Sequence, residues 1–360
     1  MRPAPGVHVV AHCRAGFEAE CAEDLTRAAQ RARSTLHAAA TTAAVVAASI
    51  DRFDGARWLR ALRDHPPIFA RSVFFAVPVT FNATDRITPT VETARAFARP
   101  FGSLWLETPD SNEGKTLSGL CRRLEPLLEH ALVDAGLMPR VAAADAKPVS
   151  ATRLHVLFTT RDAAYVGWSD ASAGSPWPMG IPRLRMPYSA PSRSTLKLAE
   201  AFVTFLGDAE RDLLRAGMRA VDLGAAPGGW SWQLAHRGLR VTAVDNGALK
   251  GEVAQDSLVT HLREDGLGYR PRRPVDWMVC DIVDKPSRIA ALAARWIASG
   301  DARRCIFNLK LPMKRRYDEV MRCIEMIDDT MHRANVRHEL SIRQLYHDRE
   351  EVTGYLARAD

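Results

Sequence analysis

From residue 219 onward, short apolar runs alternate with amphipathic stretches, and that rhythm leaves few folds open. Residues 219–223, 240–245, 258–262, 276–281 and 305–309 read as strands, bounded by turn residues and rich in Val, Ile and Leu. A helix over 194–214 precedes the first of them; others start at Trp230 or cover 287–298 and 317–334. A helix that follows a strand carries the chain back to the same end of the sheet, so successive strands pair in parallel. The expectation is α/β: a Rossmann-like, doubly wound domain over 191–360, closed by two last strand-like runs at 339–345 and 351–356.

The first half reads as α+β. Residues 7–11 form a strand-like run before a helical stretch at 16–33, and 72–79 (SVFFAVPV) is a strong strand in which Pro78 suits an edge position. Residues 104–107 precede a helical run at 114–135, with leucines at 117, 120, 124, 127, 128 and 132. Residues 153–158 and 163–168 look like strands joined by a polar turn. Residues 38–50 (AAATTAAVVAASI) are too short and too broken by threonine to span a bilayer and read as one buried element. Residues 1–168 thus read as one region, with room for a division into two subdomains, and 169–190, rich in Pro, Gly and Ser, read as a linker carrying Arg183 and Arg185.

A chain of 360 residues has room for both regions, and 47% hydrophobic against 25% charged residues excludes disordered and coiled-coil classes. The start, MRPAPGVHVV, shows no apolar leader run. Six cysteines without a CxxC pair argue against a disulfide framework and against a zinc site, so no metal is expected and a reducing cytoplasm fits. The net charge of +7 permits an acidic partner, and its excess is spread along the chain. Basic clusters stand at Arg183, Arg185 and Arg193, at Arg272 and Arg273, and at Lys314–Arg316, the last close behind Lys310. Such clusters supply salt-sensitive phosphate contacts.

The stretch AVDLGAAPGGWSWQLA (220–235) is the sharpest local signal. An apolar strand bearing Asp222 runs into a turn containing Gly224, Pro227, Gly228 and Gly229, and a helix follows. Glycines let backbone approach a ligand, and the turn lies where open α/β sheets bind theirs. The spacing is not G-x-G-x-x-G, so a dinucleotide pyrophosphate cradle is disfavoured. Asp245, at the end of the second strand, is placed for a ribose diol; Asp265, after the third, for an adenine amino group. Glycine turn and acids in this order point to S-adenosylmethionine.

DLGAAPGGW resembles the cofactor motif of the FtsJ-type ribose 2′-O-methyltransferases. The stretches PSRSTLKL, WMVCDIVDKP, FNLKLPMKRRYDEV and QLYHDREEV are similar to the branch of that group that methylates a cytidine ribose in 23S ribosomal RNA, over about residues 187–356. The resemblance implies a Lys-Asp-Lys-Glu tetrad, carried onto Lys197, Asp281, Lys310 and Glu351, with Glu350 a rival for the last place. It implies that Ser194, Ala226, Pro227, Gly228 and Gly229 line the cofactor, and that a THUMP-containing RNA-binding region precedes the catalytic domain. The expected partner is 23S ribosomal RNA, with no membrane, and a monomer is favoured.

Lys310 is expected to accept the proton of the ribose hydroxyl. Lys197 and a cationic sulfur would lower its pKa, whereas Asp281 and Glu351 would raise it; the alternative is a charged lysine beside the developing alkoxide. Base methylation is discouraged. DIVDKP is not the Asn/Asp-Pro-Pro-aromatic turn of amino methylation, and alternation turns Cys280 away from Asp281. His347 suits a capping role. Two other readings stay open: a 2′-O-methyltransferase of another RNA, and a non-catalytic RNA-binding protein that responds to S-adenosylmethionine.

Overall fold

A computed structural model describes residues 6–140 and 150–359. The chain divides into two units, Met1–Pro182 and Arg183–Asp360. Residues 1–5, part of the stretch expected to show no apolar leader run, lie outside the described residues.

The first unit contains β1 (His8–His12), α1 (Glu18–Ala32), β2 (Thr35–Thr42), β3 (Val45–Asp51), α2 (Gly55–Asp64), β4 (Ser72–Thr80), α3 (Ile87–Ala96), β5 (Ser103–Glu107), α4 (Asn112–Lys115), α5 (Ser118–Asp134), β6 (Thr152–Phe158) and β7 (Ala163–Asp170). The strands form one sheet in the order β2-β3-β1-β4-β7-β6-β5, antiparallel except for the β5–β6 pair. Alternation divides the core between the two faces. Val10, Val45, Ala47, Phe74 and Leu157 cluster on one, while Phe75 meets Phe53, Trp58 and Trp168 on the other.

Four expectations for this region are corrected. Residues 38–50 are not one buried element: they belong to a β2–β3 hairpin that turns at Ala44 (φ 66°), and 39–43 are exposed. Small Ala and Thr side chains hide the alternation that would have shown it. The helix over 114–135 is two helices, broken between Lys115 and Ser118. Pro78 sits on an inner strand, yet β1 pairs with β4 only as far as Ala76, so Pro78 has a neighbour on one side alone, Tyr165. The linker does not start at 169. β7 runs to Asp170, and the chain to Pro182 belongs to the first unit, where Met179 donates its backbone N–H to Glu107 and Ile181 is buried.

The second unit contains α6 (Thr195–Phe205), α7 (Glu210–Leu213), β8 (Arg219–Leu223), α8 (Gly229–Ala235), β9 (Arg240–Val244), β10 (Val259–Leu262), β11 (Val275–Cys280), α9 (Pro286–Ala298), β12 (Ala302–Lys310), α10 (Arg316–Arg333), β13 (His338–Arg343) and β14 (Glu351–Arg358). The helix expected over 194–214 stops after Phe205, where Gly207 (φ 50°) turns the chain. Strand order is β10-β9-β8-β11-β12-β14-β13, parallel from β10 to β12, with β14 inserted antiparallel. Ala220, Val241, Trp277 and Ile306 pack against Leu198 and Phe202 of α6 and Trp230 and Leu234 of α8. Val320, Cys323, Ile327 and Met331 give α10 its buried stripe at helical spacing. This is a Rossmann-like doubly wound sheet. Its order reverses between β8 and β11, the point at whose carboxyl edge such sheets bind ligands.

Candidate active site

The turn after β8 is built for glycine. Gly224 (φ 78°) and Gly228 (φ 115°) are in the left-handed region, and a Cβ would fall 2.7 Å from Ile282 Cγ1 or 2.6 Å from Val253 Cγ1. Asp245, just past β9, ties the turn down: Oδ2 accepts the Ala226 N–H at 2.9 Å and Oδ1 the Gly247 N–H at 2.7 Å. The Ser194 hydroxyl bonds that of Ser192 at 2.7 Å, and both lie against Gly229, the first residue of α8. Asp265 is exposed, its Oδ1 accepting the Leu267 N–H at 3.1 Å, and its neighbour Gly266 packs on Gly224. Asp222 is fully buried. Its Oδ2 accepts from Ser231 Oγ at 2.7 Å, while Oδ1 has no hydrogen-bond partner among the described residues. Burial, with the charges of Asp281 and Asp245, pushes its pKa up to about 7 against the pull of Ser231. A turn too tight for side chains, acids after β9, β10 and β11 and an unpartnered buried carboxylate oxygen fit an adenosyl ligand.

Beside this turn, two lysines and two carboxylates meet. Asp281 follows β11, and its N–H bonds Leu223 O at the end of β8. Lys310 ends β12, and Glu351 opens β14 directly opposite it. Lys310 Nζ is 3.0 Å from Asp281 Oδ1 and also bonds Glu351 Oε2. Lys197, on the first turn of α6, is 3.6 Å from Asp281 Oδ2 and pairs with Glu351 Oε1. The rival acid is elsewhere: Glu350 is exposed and paired with Arg316 at 2.9 Å. Burial would lower the Lys310 pKa, but Asp281 and Glu351 outweigh it and hold it above the usual lysine value. Burial would likewise raise the Glu351 carboxyl, and Lys197 and Lys310 hold it below the carboxylate range instead. With these groups alone, the carboxylates win and Lys310 is an ammonium.

A second layer holds the first, and sequence reasoning missed it. Asn308 Nδ2 donates to Asp281 Oδ1 at 2.8 Å; Thr353 Oγ1 lies 2.9 Å from Asn308 Oδ1 and 3.0 Å from both Asp348 oxygens. Asn308 gives its amide hydrogen to Asp281, so Thr353 must donate to Asn308 Oδ1. Its single hydrogen is then spent, and Asp348 must supply the proton between them. Fully buried and near Glu351, Asp348 is held well above the carboxylate range, in agreement with a neutral acid. Glu200, buried on α6, accepts the N–H groups of Tyr346 and His347 and faces His347 Nδ1 at 2.6 Å. A signal existed: Asn308 and Thr353 share a strand face with Lys310 and Glu351, two residues away along each strand.

The other candidates stand apart from this chemistry. Cys280 is buried, and burial pushes its thiol up to about 12. His347 belongs to the turn that Glu200 caps. Trp230 and Trp232 are both buried; the first donates Nε1–H to Ser194 O and the second stacks on His236. In the Lys314–Arg316 cluster, Arg315 pairs with Asp318 and Arg316 with Glu350, which neutralises much of the charge expected to flank the substrate.

Residues 85–170 match the family described as "Ribosomal RNA large subunit methyltransferase M, N-terminal", and 190–298 match "FtsJ-like methyltransferase". The chain is 49% identical over 352 residues to the ribosomal RNA large subunit methyltransferase M of Methylococcus capsulatus, an alignment covering 97% of each chain. It is 52% identical over 275 residues to the protein of the same name from Laribacter hongkongensis, covering 76% of each. With that of Thauera aminoaromatica the identity is 47%, over 97% of this chain and 95% of the other.

Proposed function

The chain belongs to the ribosomal RNA large subunit methyltransferase M family, and from that premise we propose that it methylates the ribose 2′-oxygen of a cytidine in 23S ribosomal RNA. It is an RNA methyltransferase of the large ribosomal subunit, and S-adenosylmethionine is its cofactor. Bound at the glycine turn, that cofactor supplies an electrophilic methyl group on a positively charged sulfur. Ser194, Gly224 to Gly229 and Asp245 would hold it, with Asp265 toward the adenine and Asp281 at the rim.

The single observation that carries the 2′-O assignment is the placing of Lys310 between Asp281 and Glu351, with Lys197 closing the square. A hydroxyl nucleophile must be aligned and relieved of its proton. The two carboxylates fix the Lys310 amine at the strand edge, where it orients the ribose oxygen. In the free site Lys310 is charged, so its role as proton acceptor belongs to the loaded site, where added positive charge at the rim opposes the carboxylates. The raised pKa favours a second reading: Lys310 keeps its proton and its ammonium faces the oxygen as negative charge develops there.

The first unit is proposed to select the RNA through a THUMP-like surface while the second transfers the methyl group, in a cytoplasmic monomer. No described helix is long and apolar enough to cross a membrane. Transfer of tritium from labelled S-adenosylmethionine to 23S ribosomal RNA of a strain lacking the gene, followed by mapping of 2′-O-methyl nucleotides, tests the reading. A single cytidine ribose should gain the label, and Lys310→Met should abolish it. Label on a base, or on another RNA alone, would overturn the assignment.

A further inference from the structure

Along the β9–β10 flank of the same sheet, from the amino ends of β8 and β9 to Asp265 beyond β10, lies a groove of about 1210 Å³. Its floor includes Thr242 of β9 and Thr260 of β10, because the connection from β10 to β11 contains no helix to cover that flank. Its walls carry five arginines: Arg219 opens β8, Arg240 opens β9, and Arg270, Arg272 and Arg273 precede β11. All five are exposed, and none is in an ion pair among the described residues. Arg219 and Arg240 are also register partners on adjacent parallel strands, a like-charge pairing that works against the fold. The acids nearby do not cancel this. Glu264 and Asp265 line the other end, and an Asp276 oxygen is taken by the backbone N–H of Arg219.

We propose that this groove is a second contact surface for the RNA substrate, holding phosphates of a segment remote from the reacting nucleotide. The inference rests on the RNA reading above and adds a surface to it. Five unneutralised guanidiniums across an open groove fit a polyanion, whose phosphates accept the paired N–H groups of arginine. A second copy of the same face would set arginine against arginine. Asp281 and Lys310 lie at the carboxyl edge of the sheet and the arginines at the amino edge, so one RNA must be long or folded to touch both. By contrast, the cluster behind Lys310 is largely self-paired.

The test is the full chain carrying Arg240→Glu, Arg272→Glu and Arg273→Glu, with Arg272→Gln/Arg273→Gln as a milder companion confined to the loop. The probe is a 23S ribosomal RNA transcript. The triple variant should bind it roughly tenfold or more weakly, and the slope of log Kd against log salt should fall by about two. Its affinity for S-adenosylmethionine and its kcat at saturating RNA should match the unaltered protein; the double variant should show a smaller change of the same sign. Unchanged RNA affinity and salt slope in both, while the unaltered protein methylates the transcript, would overturn the groove and leave the RNA reading standing. Weakened binding to large-subunit particles but not to naked transcript would assign the groove to an acidic protein and also overturn the proposal. An unaltered protein that neither binds nor methylates RNA removes the underlying reading, and the groove falls with it.

Discussion

Lys310 and Glu351 face each other across β12 and β14, and the same carboxylate takes Lys197 from α6. The pairing sets the protonation of the site, since Glu351, with Asp281, holds the Lys310 pKa up. Lys310→Met should lower single-turnover methyl transfer by about 10²- to 10⁴-fold. If Lys310 accepts the proton, log rate should climb with pH through and beyond the neutral range, because the reactive form is the minor one. Glu351→Gln removes a charge that raises the pKa, so the climb should level off at lower pH. A flat profile in the unaltered protein would assign Lys310 to the ammonium role.

Asp222 should make the second unit less stable as pH rises. Its folded pKa is about 7, above the ordinary carboxylate value near ~3.9. The neutral form favours the fold: its contribution is full below about pH 4 and is lost as pH rises toward about 7. Asp222→Asn keeps the shape without the titration. Urea unfolding of the cofactor-free protein should show the variant more stable by about 2–4 kcal/mol near pH 8, and the two equal near pH 4. A difference that does not vary with pH would rule out a titrating Asp222.

The second unit was more legible in the sequence than the first, for a physical reason. Its inner strands β8, β11 and β12 are largely buried and each is followed by a helix, so apolar runs and helical periods mark them cleanly, and the glycine turn leaves no room for side chains. The choice between Glu350 and Glu351 needed strand register, which places one opposite Lys310 and leaves the other on Arg316. Asn308, Thr353 and Asp348 drew no notice because each is unremarkable alone and acquires meaning only where β12 and β14 pair. In the first unit, the role of Glu107 at the end of β5 is equally hidden in the sequence. Its two histidines come from β1 and β6, far apart in sequence.

That buried carboxylate supports the first unit. Glu107 Oε2 lies 2.7 Å from His155 Nδ1 and 3.6 Å from His12 Nε2, while Oε1 takes the Met179 N–H. Burial alone would raise its pKa, but His155 and His12 hold it well below the usual range. The stability it contributes is therefore present above about pH 4.3 and lost as pH falls below. Glu107→Gln leaves both rings without their carboxylate and should cost about 3–5 kcal/mol near pH 7, a deficit that narrows in acid. Urea melts followed across pH check both the size and the narrowing.

The hydrogen count from Asp281 back to Asp348 makes the last prediction. Asp348 gives its proton to Thr353, Thr353 its own to Asn308, and Asn308 an amide hydrogen to Asp281, so each orientation depends on the one behind it. Asp348 Oδ2 meanwhile accepts the Leu345 N–H at 2.9 Å. Asp348→Asn offers the same pattern, an amide donor toward Thr353 and an oxygen toward Leu345. It should keep kcat within about threefold and gain stability at neutral pH, where the acid stays neutral only at a cost. Asp348→Ala leaves the Leu345 N–H without an acceptor and Thr353 free to turn. It should lose about 1–3 kcal/mol of stability and about tenfold in kcat, with KM for RNA unchanged. Thr353→Val should lower kcat similarly by freeing Asn308 to flip. Asn behaving as poorly as Ala at 348 would mean that the donor does not run from 348 to 353, and the chain of orientations would have to be reversed.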